Sequence, residues 1–226
     1  MALLLSPSIL TADFGRLGEE IASVTPFVDW FHLDVMDGHY VPNLTFGVST
    51  VEAVRRSCDL PLHVHLMIEE PGRYAAAFHD AGADRISFHP EVVPDPAETI
   101  ATIRGCGAGA GIAVHPDVGL DHVEEHVEDL DVVLVMTVRP GFGGQSFLPE
   151  VLPKIRRALD LVSSRGRSVD IEVDGGVKLE NVDEVVEAGA GIVVVGSGIF
   201  DGVDARAAAK RMRSRLDEFE GQAAER

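Results

Sequence analysis

The chain has 226 residues, 46% of them hydrophobic, and a formal net charge of -18 from 37 acidic and 19 basic side chains. That length allows one large domain or two small ones, with the composition of an ordinary globular protein. The charge argues against nucleic-acid and anionic-membrane surfaces. No apolar run approaches the roughly 20 residues of a membrane span, and the acidity reads as a soluble surface in preference to a salt-adapted one.

The first element is the apolar run "ALLLSPSIL", a strand; the segment lacks the basic n-region and long h-region of a signal peptide. Leu17, Ile21 and Val24 then share a helix face. "DWFHLDV" is a second strand, in which His32 and Asp34 point to one face, with Met36 and Asp37 beyond. Val51, Val54 and Arg55 mark the inner face of a helix whose Glu52 and Arg56 point outward. "LPLHVHLMI", "DRISFH", "AGIAVHP" and "LDVVLVMTV" follow as strands, then the helix "LPEVLPKIRRALDLVSS". The strand "SVDIEVDGG" precedes the helix "NVDEVVEAGA", and the strand "AGIVVVGSGIF" precedes the helix "DARAAAKRMRSRLDEFE". "AGADRISFH" and "AGAGIVVVGS" share one rhythm, a helix ending at glycine with a strand after it.

About eight strand–helix units in a chain of this length predict a single (β/α)8 TIM barrel spanning residues 1–226. A doubly wound open sheet would need a GxGxxG fingerprint after its first strand, and "SPSILTADFGRLG" is not one. Cys58 and Cys106 have no metal-site spacing, which makes a reducing cytoplasm the default location.

In a (β/α)8 barrel the active site lies at the C-terminal strand ends. In chain order those ends carry Ser8; His32, Asp34, Met36 and Asp37; His63, His65 and Met67; His89 and Glu91; His115 and Asp117; Met136 and Arg139; Glu172 and Asp174; Gly196 and Ser197. Taken singly, a strand histidine is ordinarily a satisfied core residue, an Asp-Gly a turn and a methionine core filler. Their coincidence at one mouth changes the reading, because buried carboxylates need partners. His32, Asp34, His65 and Asp174 together suit a divalent cation such as Zn²⁺, Mn²⁺ or Fe²⁺. A second constellation is glycine-rich: Gly141, Phe142, Gly143 and Gly144; Gly175 and Gly176; Gly196 and Ser197. Backbone N–H groups in such loops, backed by a helix N-terminus, favour a phosphate. With no P-loop lysine, the ligand reads as a small phosphorylated sugar.

"PSILTADF", "FHLDVMDGHYVPNLTFG", "LHVHLMI", "VMTVRPGFGGQSF", "IEVDGGV" and "VVGSGIF", in this order and spacing, resemble the ribulose-phosphate 3-epimerase family over essentially the whole chain. The resemblance implies interconversion of D-ribulose 5-phosphate and D-xylulose 5-phosphate in the pentose phosphate pathway. It implies one divalent ion, Zn²⁺ foremost, with Fe²⁺, Mn²⁺ or Co²⁺ as alternatives, held by His32, Asp34, His65 and Asp174. It also implies proton transfer by Asp34 and Asp174, and substrate contacts from Ser8, His65, Gly141, Phe142, Gly143, Gly144, Gly175, Gly176, Gly196 and Ser197. Met36, Met67 and Met136 are expected to line the mouth, and the protein to be a homo-oligomer. His115 and Arg139 depart from the family pattern.

Inverting a carbon centre requires an acid/base group on each face of a planar enediolate, and two aspartates on separate strands suit that need. The same machinery would serve a related ketohexose phosphate such as allulose 6-phosphate, and a non-catalytic sugar-phosphate-binding barrel is a further alternative. A related decarboxylase is disfavoured, because "HLDVMD" lacks the lysine of the Asp-x-Lys-x-x-Asp strand end.

Overall fold

The computed structural model describes residues 2–165 and 168–224; positions 1, 166, 167, 225 and 226 of the expected 1–226 domain lie outside the described residues. Among the described residues, eight strands alternate with eight α-helices. The strands are β1 (Leu4–Pro7), β2 (Phe31–Met36), β3 (Leu62–Met67), β4 (Arg85–Phe88), β5 (Gly109–Val114), β6 (Val132–Met136), β7 (Asp170–Asp174) and β8 (Ile192–Val195). The helices are α1 (Leu17–Val24), α2 (Val48–Ser57), α3 (Pro71–Asp80), α4 (Pro96–Cys106), α5 (Asp121–His126), α6 (Leu152–Ser164), α7 (Val182–Glu187) and α8 (Ala205–Ala224). All strand pairs are parallel, in the order β1-β8-β7-β6-β5-β4-β3-β2. The ring closes between β1 and β2 through a Ser8–His32 bridge and bonds from the Asp29 and Trp30 N–H groups to the Leu5 carbonyl. The chain is therefore a (β/α)8 barrel, as the strand–helix alternation predicts.

The period-2 alternation of each strand divides two environments. In β2, Phe31, Leu33 and Val35 belong to the large apolar layer between sheet and helices, as do Leu62, Val64 and Leu66 of β3. Each such fully buried side chain contributes about 1.5–3 kcal/mol. The alternate residues His32, Asp34, His63, His65, Ser87 and Glu172 are buried in the barrel interior. Beside them Ala113, Leu134, Met136 and Val138 form a small apolar cluster. The outer layer thus supplies the burial that lets half of the interior be polar.

Local sequence explains the turns that set this register. Gly82 and Gly189 each end a helix at φ 115°, the left-handed conformation that glycine adopts without strain. That is the shared design of "AGADRISFH" and "AGAGIVVVGS". The first strand is shorter than its apolar run, because Ser8 accepts from the Leu10 N–H (3.3 Å) and turns the chain into a 3-10 segment over Ile9–Thr11.

At Gly111 of β5 a Cβ would fall inside contact distance of Ser87 Oγ and Val132 Cγ1. Ser87 cannot rotate away freely, because its hydroxyl donates to His63 Nε2 at 2.7 Å. Gly111→Ala is therefore expected to destabilise the protein by about 1–3 kcal/mol, the usual cost of overpacking. Urea denaturation measures it; unchanged stability would contradict this packing of the interior.

Candidate active site

The C-terminal ends of β2, β3 and β7 converge. His32, Asp34, His65 and Asp174 each offer a ligand atom, and these atoms lie within 4.8 Å of one another. β7 stands three places from β2 round the ring, through β1 and β8, so Asp34 and Asp174 reach the cluster from different sides. Ser8 Oγ donates to Asp34 Oδ2 at 2.6 Å, which leaves Oδ1 facing His65 Nδ1 (3.1 Å) and His32 Nε2 (3.3 Å). Thr45 holds the end of β2, its hydroxyl donating to the Asp34 carbonyl (2.7 Å) and accepting from the Met36 N–H (2.9 Å). Thr137 holds the end of β7 through the Asp174 and Gly175 carbonyls (3.1 and 2.6 Å).

One layer deeper lies Glu172, 1% exposed. Its Oε1 accepts from His32 Nδ1 at 3.0 Å and its Oε2 from His63 Nδ1 at 2.7 Å. This fixes the His32 proton on Nδ1 and turns Nε2 toward Asp34 and Asp174, 3.3 and 3.9 Å away, with no hydrogen-bond partner. A buried nitrogen without a partner is costly. Nε2 of His32 and Nδ1 of His65, among two carboxylates, form a donor set that suits a divalent cation of the zinc, iron, manganese or cobalt kind. Sequence spacing puts Glu172 and His63 on the inward face but does not reveal that they clamp His32. The available signal is the i, i+2 pairing of Glu172 with Asp174 and of His63 with His65.

Burial works to raise the Asp34 pKa, but the charge on His32 beside it and the bond with His65 hold it well below the carboxylate range. Burial and the neighbouring Asp34 charge push Asp174 above it. His32 is raised despite burial, chiefly by Asp34, whereas burial takes His65 down to about 3. Asp34 and Glu172 thus favour the charged form of His32, and the two aspartates prefer opposite protonation states.

The remaining expected residues line one pocket open to solvent: Ser8, Met36, Met67, Met136, Gly141, Phe142, Gly143, Gly144, Gly175, Gly176, Gly196 and Ser197. His65 lies in the ligand cluster at its floor. The glycines there also have packing reasons. A Cβ on Gly175 (φ 124°) would stand 2.8 Å from the Val138 N, and one on Gly176 would meet the Phe147 backbone. The helix N-terminus expected behind these loops is not adjacent, because α7 begins at Val182 and α8 at Ala205. Among the described residues, the N–H groups of Gly176, Ser197 and Gly198 nonetheless have no acceptor.

Asp37 is a turn residue, accepting from the N–H groups of His39 (2.8 Å) and Glu69 (2.9 Å). Arg139 forks onto Asp117 at 3.2 Å through both Nε and Nη2, and His115 Nδ1 accepts from the Asp117 N–H at 3.1 Å. The two departures from the family pattern therefore brace each other's loops, away from the ligand cluster.

Residues 4–200 match the family described as the ribulose-phosphate 3 epimerase family. A ribulose-phosphate 3-epimerase of Bacillus subtilis is 49% identical over 210 residues, 92% of this chain and 97% of that protein. One of Synechocystis is 48% identical over 202 residues, 88% of each, and one of Mycobacterium leprae 41% over 215, 95% and 96%. Among solved structures, KGPDC from Streptococcus mutans, in complex with a pentose phosphate, superposes with a TM-score of 0.77 at 15% identity, covering 96% of this chain and 98% of that one. A 3-hexulose-6-phosphate synthase gives 0.70 at 20%, covering 94% and 99%. These two likenesses are of fold.

Folding lowers the pKa of Glu172, because its bonds from two imidazoles outweigh burial. Its stabilising contribution is therefore complete above the ordinary glutamate range and lost as pH falls from there through the depressed folded value. Glu172→Gln should cost about 3 kcal/mol or more at neutral pH and flatten this part of the acid limb. Denaturant titrations of both proteins across the acid range test this; parallel curves would contradict it.

Proposed function

The chain belongs to the ribulose-phosphate 3-epimerase family, and from that premise we propose how its own residues invert C3 of D-ribulose 5-phosphate to give D-xylulose 5-phosphate. The observation that carries the reading is the pairing of Asp34 and Asp174, which meet at one cluster from separate strands with their pKa values pushed apart. Environments that separate two carboxylates in this way assign one as base and the other as acid. The ionised aspartate takes the C3 proton, and the electron pair moves toward the C2 carbonyl oxygen to give a planar enediolate. The protonated aspartate returns a proton to C3 from the other face, and the reverse reaction exchanges their roles.

A divalent cation held by His32, Asp34, His65 and Asp174 supplies positive charge for the oxygens that become negative. Ser8 fixes the rotamer of Asp34, and Glu172 and His63 fix His32. Met36, Met67 and Met136 cover the reacting carbons with nonpolar surface and exclude water. Gly176 and Ser197 line the pocket with N–H groups that have no acceptor among the described residues, which suits the phosphate oxygens. The loop carrying Gly141, Phe142, Gly143 and Gly144 closes that end; Gln145 braces it from within by donating to the Arg139 and Phe142 carbonyls. The two unpaired cysteines, Cys58 and Cys106, support a cytoplasmic location, and no described helix is long and apolar enough to cross a membrane. Homo-oligomeric assembly belongs to the same proposal, with sedimentation as its check.

A coupled assay on D-ribulose 5-phosphate, with metal analysis of the same sample, tests the activity and the cation together. Chelation should abolish most turnover and a divalent ion restore it; full activity in metal-free protein would refute the cation. Because His32 holds a proton that a cation must displace from its ligand nitrogen, the apparent metal affinity should rise with pH. A pH-independent affinity would contradict this assignment.

The two-base reading makes a further prediction. Asp34→Asn and Asp174→Asn, each loaded with metal, should lose roughly 10²–10⁴-fold in epimerisation. Each should still exchange the C3 proton of one epimer with D₂O, and a different epimer in each variant. Wild-type exchange of both epimers by either variant, followed by NMR, would defeat it.

A further inference from the structure

We propose that His89, braced by Glu91 and Tyr40, is a positioning residue that decides which nitrogen of His65 faces the ligand cluster. The inference rests on the cation reading above and concerns residues to which that reading gives no role.

His65 Nε2 and His89 Nε2 face each other at 3.0 Å, and both rings are fully buried. Two ring nitrogens at that distance share one proton. If the proton belongs to His65 Nε2, a neutral His65 has its lone pair on Nδ1, 3.1 Å from Asp34 Oδ1 and inside the cluster. If it belongs to His89 Nε2, His65 carries its own proton on Nδ1, donates it to Asp34 and offers nothing to a cation. The two arrangements exclude each other: the Asp34 bond favours the second until a cation takes His65 Nδ1, and the far side of His89 then favours the first.

On that far side His89 Nδ1 lies 3.4 Å from Glu91 Oε1, and the Tyr40 hydroxyl donates to the same oxygen at 2.8 Å. The Tyr40 ring packs on the His89 ring, 4.7 Å between centroids at 35°. His89 Nδ1 makes no hydrogen bond, but the Glu91 carboxylate beside it favours a proton there by charge. With that proton on Nδ1, His89 Nε2 can accept, so the shared proton sits on His65 Nε2 once a cation occupies His65 Nδ1. The sequence builds this locally: Pro90 keeps His89 extended (φ -87°, ψ 119°), and the 3-10 turn over Pro90–Val92 brings Glu91 back beside the ring. The sequence His-Pro-Glu after β4 is thus a positioning device for a ligand on β3.

Outer hydrogen-bond partners of ligating histidines commonly change metal affinity by 10–100-fold. The test compares wild type, His89→Leu, His89→Gln and Glu91→Leu for Zn²⁺ affinity, by competition with a chromophoric chelator, and for the visible spectrum of the Co²⁺-loaded protein. His89→Leu should bind Zn²⁺ roughly 10–100-fold more weakly and shift the Co²⁺ bands. His89→Gln, whose amide oxygen can accept from His65 Nε2, should recover most of the affinity and the wild-type spectrum. Glu91→Leu, at a side chain 31% exposed and tolerant of change, should weaken binding several-fold; it carries the test if the buried variant does not fold. Unchanged affinity and spectrum in His89→Leu, or unchanged affinity in Glu91→Leu, beside a wild type that binds one ion, would overturn the positioning role alone. A wild type that binds no ion would overturn the cation reading on which it rests.

Discussion

A carboxylate almost sealed from water in the middle of a barrel is the constraint on which the rest of the site depends. An ionised group so placed survives only if both oxygens are satisfied. Glu172 meets that condition with the Nδ1–H groups of His32 and His63. His63 is held in turn by Ser87, and Ser87 has room only because β5 offers Gly111. Below them Arg85 anchors the layer, with Asp170 Oδ2 at 2.7 Å, the Trp30 ring 4.6 Å beneath its guanidinium, and Nη1 4.0 Å from Glu172. The unpartnered nitrogen of His32 is the consequence of this layer at the level above.

The mouth then divides by chemistry. Strands β2, β3, β4 and β7 bring titratable side chains, stacked so that each ligand has an outer partner: Ser8 for Asp34, Glu172 for His32, His89 for His65. The loops after β6, β7 and β8 bring glycine and free backbone N–H groups. The proposed reaction uses this division, with the reacting carbons of a small phosphorylated ketose assigned to the carboxylates and its phosphate to the amides. Asp34 and Asp174 are the same residue type with opposite proton preference because one is surrounded by donors and the other mainly by burial and a like charge. Their difference comes from position on the ring and not from sequence.

The barrel was legible because period-2 alternation and glycine-ended helices repeat along the whole chain. So was the ligand cluster: His32 and Asp34 are two residues apart, and His65 and Asp174 sit at equivalent strand ends. The partners of those ligands were not legible. Spacing tells that His63, His65, Glu172 and Asp174 point inward, but not that Glu172 spans two strands or that His89 turns from the mouth onto His65. Such contacts depend on ring closure and strand stagger, which no local pattern records. The glycine loops were singled out as a phosphate cradle, and the structure gives Gly175 and Gly176 a packing reason, since they pass close to the Val138 and Phe147 backbones. Asp37 and Arg139 looked chemical and serve as loop fasteners.

The central claim is that the Glu172 layer fixes the tautomer of His32 and so aims its Nε2 at Asp34 and Asp174. The most direct measurement is ¹⁵N–¹H correlation NMR of the histidine rings in Zn²⁺-loaded protein, with His32 and His63 assigned by substitution. The account predicts a proton on Nδ1 of both rings, protected from exchange, with His32 bound to the metal through Nε2. A His32 ring protonated on Nε2, or bound through Nδ1, would contradict it.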